Sequence, residues 1–448
     1  MNPHLKDISG SITAPQGFLA AGVFCDIKRL GTGKGSNKGN KRDLALILSE
    51  VPATAAGMFT TSRVCAAPVK VSLPRATKGR AQAIVVNSGN ANACTGAQGI
   101  RDAKQMTDVA AKLFRLPAGD VLVASTGRIG VALPMTNVKR GIQAAAALLN
   151  TFPENAAHAA EAIMTSDTRP KEVAIEFLLG GKSVRIGGIC KGAGMIQPGM
   201  SATGARPAAS PAQKFQGLHA TMLCFITTDA AIDSKALKAA LNEAVASSFN
   251  RITVDGDMST NDTVIVLANG MAGNATLTSA RRSDLAQFQN ALNHVCLELA
   301  KMIVRDGEGV TRFITVKVNG AKTFADADAA ARAVANSSLV KTSWFGGDPN
   351  WGRIMGALGY SPAYIVEEKI DVAYSAPGGK KLLYALKKGQ PTKTSFDALC
   401  KMAAQKEFDL HINLNLGRSG AVMYASDLTE EYVDFNKGDV SDPASLGG

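Results

Sequence analysis

The stretch His219-Ala-Thr-Met-Leu-Cys-Phe-Ile-Thr-Thr-Asp-Ala230, near the middle of the 448-residue chain, decides the fold prediction. Its mostly apolar run after Thr221 predicts a buried β-strand. Residues Pro198–Leu218, just before it, are rich in Pro, Ala, Ser and Gly and lack periodicity, which predicts an exposed loop. A flexible segment that ends in a small residue, directly before a threonine and a buried strand, is suited to backbone cleavage between Ala220 and Thr221.

Cleavage before Thr221 would supply that residue with its own catalytic base. A threonine nucleophile needs a base within hydrogen-bond reach. The freed α-amine titrates at about pH 8, so much of it is neutral under cell conditions. Nucleophile and base would then lie on one residue, and no His or Asp partner is required. This suits a chain with only five His, none of which forms a recognisable triad pattern.

The rest of the chain mixes strand-like and helical segments. Asp120–Ser125 predicts a strand that runs directly into Thr126-Gly127, and His411–Leu416 predicts a final strand before a polar tail. Gly99–Phe114 and Ser283–Asp306 have the apolar spacing of amphipathic helices. Because no strict β-α-β rhythm is present, we expect layered mixed sheets with outer helices rather than a dinucleotide-binding fold.

Composition and cysteine usage indicate a globular protein of the cell interior. Hydrophobic residues make up 46% and charged residues 19% of the chain. No apolar run reaches the roughly 20 residues that span a bilayer, and Met1–Asp7 lacks a signal or transit pattern, so a cytoplasmic protein is expected. The seven cysteines are dispersed without a C-x-x-C pair, which argues against a disulfide framework and a structural zinc site. We expect no metal site.

The net charge of +12 is unevenly divided. Residues 1–220 hold 26 Lys and Arg against 12 Asp and Glu, whereas residues 221–448 hold 23 against 25. The basic residues are not clustered with aromatics, which disfavours nucleic-acid binding. Two interpretations remain: a basic half packs against a slightly acidic half, or a positive field attracts anionic substrates.

Ordered motifs along nearly the whole chain make it resemble the ornithine acetyltransferase family. The resemblance is strongest where a Lys-Gly-Ala-Gly-Met-Ile run precedes Ala-Thr-Met-Leu. The stretches that carry it are Thr13–Phe18, Val86–Gly96, Ser125–Gly127, Lys191–Ile196, Ala220–Leu223, Asn250–Gly256, Ser259–Thr263, Arg305–Gly309 and Gly347–Ile354.

The resemblance implies an α/β sandwich of stacked mixed sheets with outer helices, similar to the Ntn-hydrolase fold. It implies self-cleavage into an α chain (1–220) and a β chain (221–448) that assemble as an α2β2 heterotetramer. The implied reaction is a ping-pong transfer of acetyl from N2-acetylornithine to glutamate, within arginine biosynthesis. Acetyl-CoA is a possible second acetyl donor, and no resident cofactor is implied.

The resemblance also implies the residues that carry out the acetyl transfer. Thr221 would be the nucleophile, and Thr126 with Gly127 would form the oxyanion hole through a hydroxyl and a backbone N–H. The flexibility of glycine suits the second role, because the backbone can approach a substrate closely. Lys191, in its Gly-rich run, would bind a substrate carboxylate.

Four further substrate contacts are implied. Thr168 would contact substrate, although its position also suits a helix cap. Glu308, between Gly307 and Gly309, would pair with a substrate ammonium group. Asn436 and Ser441 fall at the positions where the family closes its active site.

The chain departs from the family pattern in two places. Tyr432–Ser441 lacks the aromatic and arginine residues usual between Asn436 and Ser441, and Asp442–Gly448 extend beyond the usual end. The link Pro198–His219 is longer than in most members, and it could change the strain that drives cleavage or partly cover the site.

Two functions of other classes remain open. One is a self-cleaving aminopeptidase or amidase, in which water replaces glutamate as acceptor and free acetate is released. The other is an uncleaved, non-catalytic binding protein, for which a denaturing gel would show only a 46.5 kDa band.

Overall fold

The computed structural model describes residues 5–28, 41–205 and 221–437. Ala220, Ser441, the tail Asp442–Gly448 and residues 206–218 of the predicted loop lie outside these ranges. No helix in the described part of the chain is long and apolar enough to cross a membrane.

Seventeen β-strands lie within the described residues. In chain order they are β1 (Lys6–Asp7), β2 (Phe18–Val23), β3 (Leu44–Thr60), β4 (Arg80–Asn90), β5 (Val121–Arg128), β6 (Lys171–Leu179), β7 (Lys182–Lys191), β8 (Met200–Ser201), β9 (Leu223–Thr228), β10 (Ile252–Thr253), β11 (Thr263–Ala268), β12 (Phe313–Ala321), β13 (Asp371–Ser375), β14 (Leu383–Lys387), β15 (Gln390–Pro391), β16 (Glu407–Asn413) and β17 (Ser419–Ser426).

The same ranges contain eleven α-helices and four short 3-10 segments, the latter at Ser11–Thr13, Ala118–Asp120, Phe249–Arg251 and Glu367–Lys369. The α-helices are α1 (Ala67–Thr77), α2 (Gly96–Phe114), α3 (Met135–Ala147), α4 (Pro153–Ile163), α5 (Ser234–Ser247), α6 (Arg282–Arg305), α7 (Phe324–Asn336), α8 (Ser338–Gly346), α9 (Trp351–Gly359), α10 (Phe396–Ala403) and α11 (Glu430–Asn436).

The strands form two mixed sheets. The larger has the order β1-β6-β7-β9-β11-β3-β4-β5, with β2 and β8 also paired to β3. The smaller has the order β10-β17-β12-β16-β13-β14-β15. Helices cover both faces of the larger sheet, and α7 to α10 pack on the smaller one. This is the predicted α/β architecture of layered mixed sheets with outer helices, which is confirmed.

Strand β9 lies at the centre of the larger sheet. It pairs parallel with β11 and antiparallel with β7, and every residue of β9 and β11 is buried. Alternate side chains of a strand point to opposite faces. Leu223 and Phe225 therefore pack in the core that contains α4, whereas Cys224 and Ile226 pack against α5 and α6. Burial on both faces explains the unbroken apolar run in the sequence.

Three local predictions were wrong in detail. Strand β5 continues through Thr126 and Gly127 to Arg128 instead of ending before them, because it keeps pairing with β4. The strand predicted at His411–Leu416 is β16, which spans Glu407–Asn413. It is not the final strand, because β17 and α11 follow it. The segment predicted as an exposed loop from Pro198 contains strand β8 near its start, at Met200–Ser201. This strand pairs with the end of β3.

Candidate active site

Thr221 lies immediately before β9, and its side chain is almost completely buried at 3% exposure. The backbone on its C-terminal side is clamped to the segment that leads into β11. The Met222 N–H donates to Asp262 Oδ1 at 3.1 Å, and the Thr263 N–H donates to the Met222 carbonyl at 3.2 Å. Strand pairing and this carboxylate together fix where Thr221 points.

The hydroxyl of Thr221 is hydrogen-bonded to the hydroxyl of Ser259. The two oxygens are 2.6 Å apart, and Ser259 is fully buried. The Ser259 oxygen also accepts the Asn261 N–H at 3.0 Å, and the Ser259 N–H donates to Asp262 Oδ2 at 3.3 Å. The Thr221 hydroxyl is thus held by the loop Ser259–Asp262, a stretch that the sequence marked only through its resemblance to the family.

Lys191, the last residue of β7, connects three segments of the site. Its ammonium donates to the Thr221 carbonyl at 2.8 Å, to Thr165 Oγ1 at 2.6 Å and to Thr126 Oγ1 at 3.3 Å. A lysine ammonium has three N–H donors, so these three acceptors use all of them. A substrate carboxylate could bind this ammonium only by displacing or sharing one of those bonds.

The charge of Lys191 is fully buried and lies 3.9 Å from Asp167. Burial lowers the pKa of the Lys191 ammonium below its usual value, and the Asp167 carboxylate offsets only part of this effect. Although burial acts in the opposite direction, Lys191 and Lys171 hold the pKa of Asp167 well below its usual range. Asp167 also accepts the Gly192 N–H at 2.7 Å, which ties it to the residue after Lys191.

A second buried ion pair extends this network. Lys171 donates to Asp167 at 2.6 Å and to Asp306 at 2.5 Å, and Asp306 follows the end of α6. Burial alone would lower the pKa of Lys171, but the two carboxylates raise it above its usual value. Asp306 also accepts from the N–H and the hydroxyl of Thr168. Thr168 is therefore not a helix cap, because it precedes β6 and its hydroxyl is bonded to Asp306.

Thr126 and Gly127 lie side by side in β5 against the end of β4. Gly127 adopts φ +128°, and a Cβ there would lie 2.4 Å from the carbonyl carbon of Gly89. Only glycine therefore permits this strand approach. Thr126 is fully buried, and its hydroxyl oxygen accepts from Lys191. Because an ammonium has no acceptor, the Thr126 hydroxyl hydrogen must point elsewhere.

Glu308 and Asn436 form one unit. The Asn436 amide, at the end of α11, donates to Glu308 Oε2 at 2.9 Å. The Glu308 carboxylate is packed against Gly194, where a Cβ would lie 2.5 Å from Oε2, so it is more crowded than its two flanking glycines suggested. Burial raises the pKa of Glu308, and the hydrogen bond from Asn436 opposes part of this increase. The Glu308 N–H donates to the Ala193 carbonyl at 2.9 Å.

Two further buried carboxylates stabilise loops around the site. Burial raises the pKa of Asp262 to about 7, although two backbone N–H groups and Lys191 oppose the increase. Burial and the neighbouring Asp257 raise the pKa of Asp255 to about 6. Asp255 accepts the N–H groups of Met195 and Ile196, and the Tyr432 hydroxyl donates to it at 3.3 Å.

No group of three or more His, Cys, Asp or Glu in the described ranges is arranged to hold a metal ion.

The structure thus brings Thr221, Thr126 and Lys191 into one hydrogen-bonded unit and joins Glu308 to Asn436. The sequence analysis assigned no role to the buried polar residues that support them, although each lies inside a quoted motif or, for Asp167, next to the predicted contact Thr168. These are Asp167, Ser259, Asp262, Asp255 and Asp306; Lys171 was missed altogether. A run of adjacent Ser, Thr, Asn and Asp residues directly before a buried strand is the signal that could have found the Ser259–Asp262 loop.

Comparisons with known proteins identify the family of the chain. The family model described as "ArgJ family" matches residues 21–438. The chain is 47% identical over 429 residues to the arginine biosynthesis bifunctional protein ArgJ of Symbiobacterium thermophilum, covering 96% of this chain and 98% of that one. It is 44% identical over 438 residues to the glutamate N-acetyltransferase of Methanocaldococcus jannaschii, covering 96% and 99%.

Solved structures are also similar. One is the ornithine acetyltransferase of Mycobacterium tuberculosis complexed with ornithine, which is 36% identical with a TM-score of 0.39; the match covers 44% of this chain and 100% of that chain. Another is the ArgJ bifunctional protein of Bacillus halodurans, which is 40% identical with a TM-score of 0.41; the match covers 44% of this chain and 98% of that chain.

The raised pKa of Asp262 predicts a pH-dependent stability contribution. An aspartate in the unfolded chain has a pKa of about 3.9. The folded state therefore holds the proton more tightly, and its stabilising contribution is complete below about pH 4 and is lost as the pH rises to about 7. The unfolding free energy of the parent, relative to Asp262→Asn, should fall across this range by a few kcal/mol at most, since one pKa unit is about 1.4 kcal/mol.

Chemical denaturation at a series of pH values measures this difference. Asp397→Asn, which changes an exposed carboxylate on α10, is the matched control and should show no such trend. A difference between the parent and Asp262→Asn that stays constant from pH 4 to pH 7 would contradict the assignment.

Proposed function

The chain belongs to the ArgJ family, and from this we propose that it transfers the acetyl group of N2-acetyl-L-ornithine to L-glutamate, forming ornithine and N-acetyl-L-glutamate. It is an acyltransferase of arginine biosynthesis. The observation that carries the proposal is the placement of Thr221. Its hydroxyl is buried against Ser259, and its carbonyl is held by the same Lys191 ammonium that contacts Thr126.

Before any acetyl transfer the chain cleaves itself: the Thr221 hydroxyl attacks the Ala220 carbonyl, and water hydrolyses the resulting ester. This leaves segments 1–220 and 221–448, the second with a free α-amine on Thr221. The new α-amine of Thr221 takes the hydroxyl proton, and Oγ attacks the acetyl carbonyl. Ornithine leaves with the proton, and an acetyl ester remains on Thr221. The amine of glutamate then attacks this ester and regenerates the free threonine.

Thr126 and Gly127 form the oxyanion hole in this proposal. Lys191 occupies a lone pair of Thr126 Oγ1, so the hydroxyl hydrogen of Thr126 is available for the developing negative charge. The positive φ of Gly127 supports the second donor, because it turns the backbone without a side chain over the site. Removing one such donor typically costs about 3 kcal/mol of transition-state stabilisation.

Substrate recognition uses charged groups on both sides of the nucleophile. Glu308, positioned by Asn436, binds a substrate ammonium group, and Ser441 is proposed as a further substrate contact from the family resemblance. Lys191 attracts a substrate carboxylate, and Thr168 contributes a contact at the same side. The buried positive charge of Lys191 and the basic first half of the chain favour anionic substrates.

The chemistry needs no resident cofactor, because nucleophile and base are both supplied by Thr221. Acetyl-CoA is a second acetyl donor in this proposal. The two cleaved chains remain associated, and two copies of each form an α2β2 heterotetramer.

Acetyl transfer can be followed directly. Purified protein is incubated with acetyl-labelled N2-acetylornithine and glutamate, and the label should appear in N-acetylglutamate. A parallel reaction with labelled acetyl-CoA tests the second donor. Release of the label only as free acetate, independent of glutamate, would overturn the transferase proposal in favour of an amidase.

Thr221 variants test the nucleophile and the cleavage site together. Thr221→Ala should abolish both cleavage and transfer, because it removes the attacking oxygen of both reactions. Thr221→Ser retains the hydroxyl and the amine and should keep part of each activity. Intact-mass analysis and N-terminal sequencing should find a parent β chain that begins Thr-Met-Leu-Cys. An uncut parent with full activity, or a Thr221→Ala variant that transfers at the parent rate, would contradict the mechanism.

Glu308→Gln tests ammonium binding. Glutamine keeps the shape and can still accept from Asn436, so the substitution mainly removes the charge. The KM for acetylornithine or glutamate should rise about ten- to a hundredfold, as expected when a hydrogen bond to a charged group is lost. Glu430→Gln, which changes an exposed carboxylate at the start of α11, is the control and should leave the KM unchanged. Equal KM values in the two variants would remove Glu308 from the binding site.

A further inference from the structure

The contact between Ser259 and Thr221 is the most direct polar contact made by the proposed nucleophilic oxygen. Ser259 Oγ lies 2.6 Å from Thr221 Oγ1, and both residues are buried. A hydroxyl in this position touches the reacting atom itself, and its hydrogen bond acts in surroundings from which bulk water is largely excluded. Such bonds are stronger than in water.

The other contacts of Ser259 leave its hydrogen able to point to Thr221 Oγ1. A serine hydroxyl has one hydrogen to donate and two lone pairs that accept. One lone pair accepts the Asn261 N–H at 3.0 Å. Among the described residues, Thr221 Oγ1 is the remaining partner of Ser259 Oγ, so it is the available acceptor for the Ser259 hydrogen. The hydrogen of Thr221 is then free to point towards its own α-amine.

We propose that Ser259 is a second catalytic hydroxyl of this site, which donates a hydrogen bond to Thr221 Oγ1 while that oxygen attacks. The inference rests on the proposed function and extends it. As the Thr221 proton moves to the α-amine, negative charge develops on Oγ1, and the Ser259 hydrogen stabilises it. The Oγ–carbonyl carbon bond then forms, and Ser259 keeps its own proton throughout.

The loop that carries Ser259 is held by hydrogen bonds to several other segments of the chain. Its hydroxyl donor is therefore positioned before substrate binds. The Ser259 carbonyl accepts from the Thr60 hydroxyl at 2.6 Å, and its N–H donates to Asp262. The Asn261 amide donates to the carbonyls of Ala91 at 2.7 Å and Ser125 at 2.8 Å. Ser125 directly precedes Thr126, so the Ser259 donor and the proposed oxyanion hole belong to one framework. Fixed donors of this kind need no reorganisation during the reaction.

Ser259→Ala tests the proposal, with Thr263→Val as the matched control. Thr263, the first residue of β11, donates its hydroxyl to the Asn261 carbonyl of the same buried loop and not to Thr221. We expect Ser259→Ala to lower kcat for acetyl transfer by about a hundredfold, as for other lost transition-state donors, with little change in KM. Thr263→Val should transfer at nearly the parent rate, and Ser259→Thr, which keeps a hydroxyl, should recover part of the activity.

Thermal melts of each variant show whether it is folded, and self-cleavage supplies a second readout because the same oxygen attacks in that reaction. If a folded Ser259→Ala variant is cut more slowly than Thr263→Val, and its cut form transfers acetyl about a hundredfold more slowly, the proposal is supported. If Ser259→Ala cleaves and transfers as fast as Thr263→Val, the proposal is overturned. If the parent itself transfers no acetyl group, the proposed function fails, and the cleavage rates alone still decide the role of Ser259.

Discussion

The buried ammonium of Lys191 is the interaction on which the rest of the site depends. A charge removed from water costs several kcal/mol unless it is paired and fully hydrogen-bonded. Here Asp167 supplies the opposite charge, and three oxygens fill all three N–H donors. Because those oxygens come from separate segments, satisfying one ammonium brings Thr126 and the start of β9 together. The geometry of the proposed site is therefore a consequence of satisfying a buried charge.

The same constraint explains the charge pattern around the site. Asp167 lies between two ammonium groups, and Asp306 pairs with the second of them, Lys171, so two buried positive charges face two negative ones. Positive neighbours lower the pKa of Asp167, whereas burial raises the pKa of Asp262, Asp255 and Glu308. The Asp167 carboxylate is thus stabilised as an anion, whereas the carboxyl groups of Asp262, Asp255 and Glu308 hold protons more readily. The backbone N–H groups that Asp262 and Asp255 accept keep these carboxylates in place.

Much of the fold could be predicted from sequence because its signals are local, whereas the role of Thr221 as nucleophile stays a prediction. The apolar run after Thr221 marks a strand buried on both faces, and the helix predicted over Ser283–Asp306 is observed as α6 within one residue at each end. The supporting polar network could not be predicted in the same way. Lys171 and Asp306 are 135 residues apart, and Thr221 and Ser259 are 38 apart, so only the folded sheet brings them together. The end of β5 was misjudged for a related reason: pairing with Gly89 extends the strand, and no local pattern reports a partner strand.

The central claim is that Thr221 carries the acetyl group between the two substrates, and trapping that intermediate tests it most directly. The cleaved enzyme is mixed with acetylornithine in the absence of glutamate, quenched in acid and digested, and its peptides are analysed by mass spectrometry. The account predicts acetyl on the side-chain oxygen of Thr221, in the peptide that begins Thr-Met-Leu-Cys, and its disappearance when glutamate is added before the quench. An enzyme that transfers acetyl at full rate while Thr221 stays unmodified under these conditions would contradict the account.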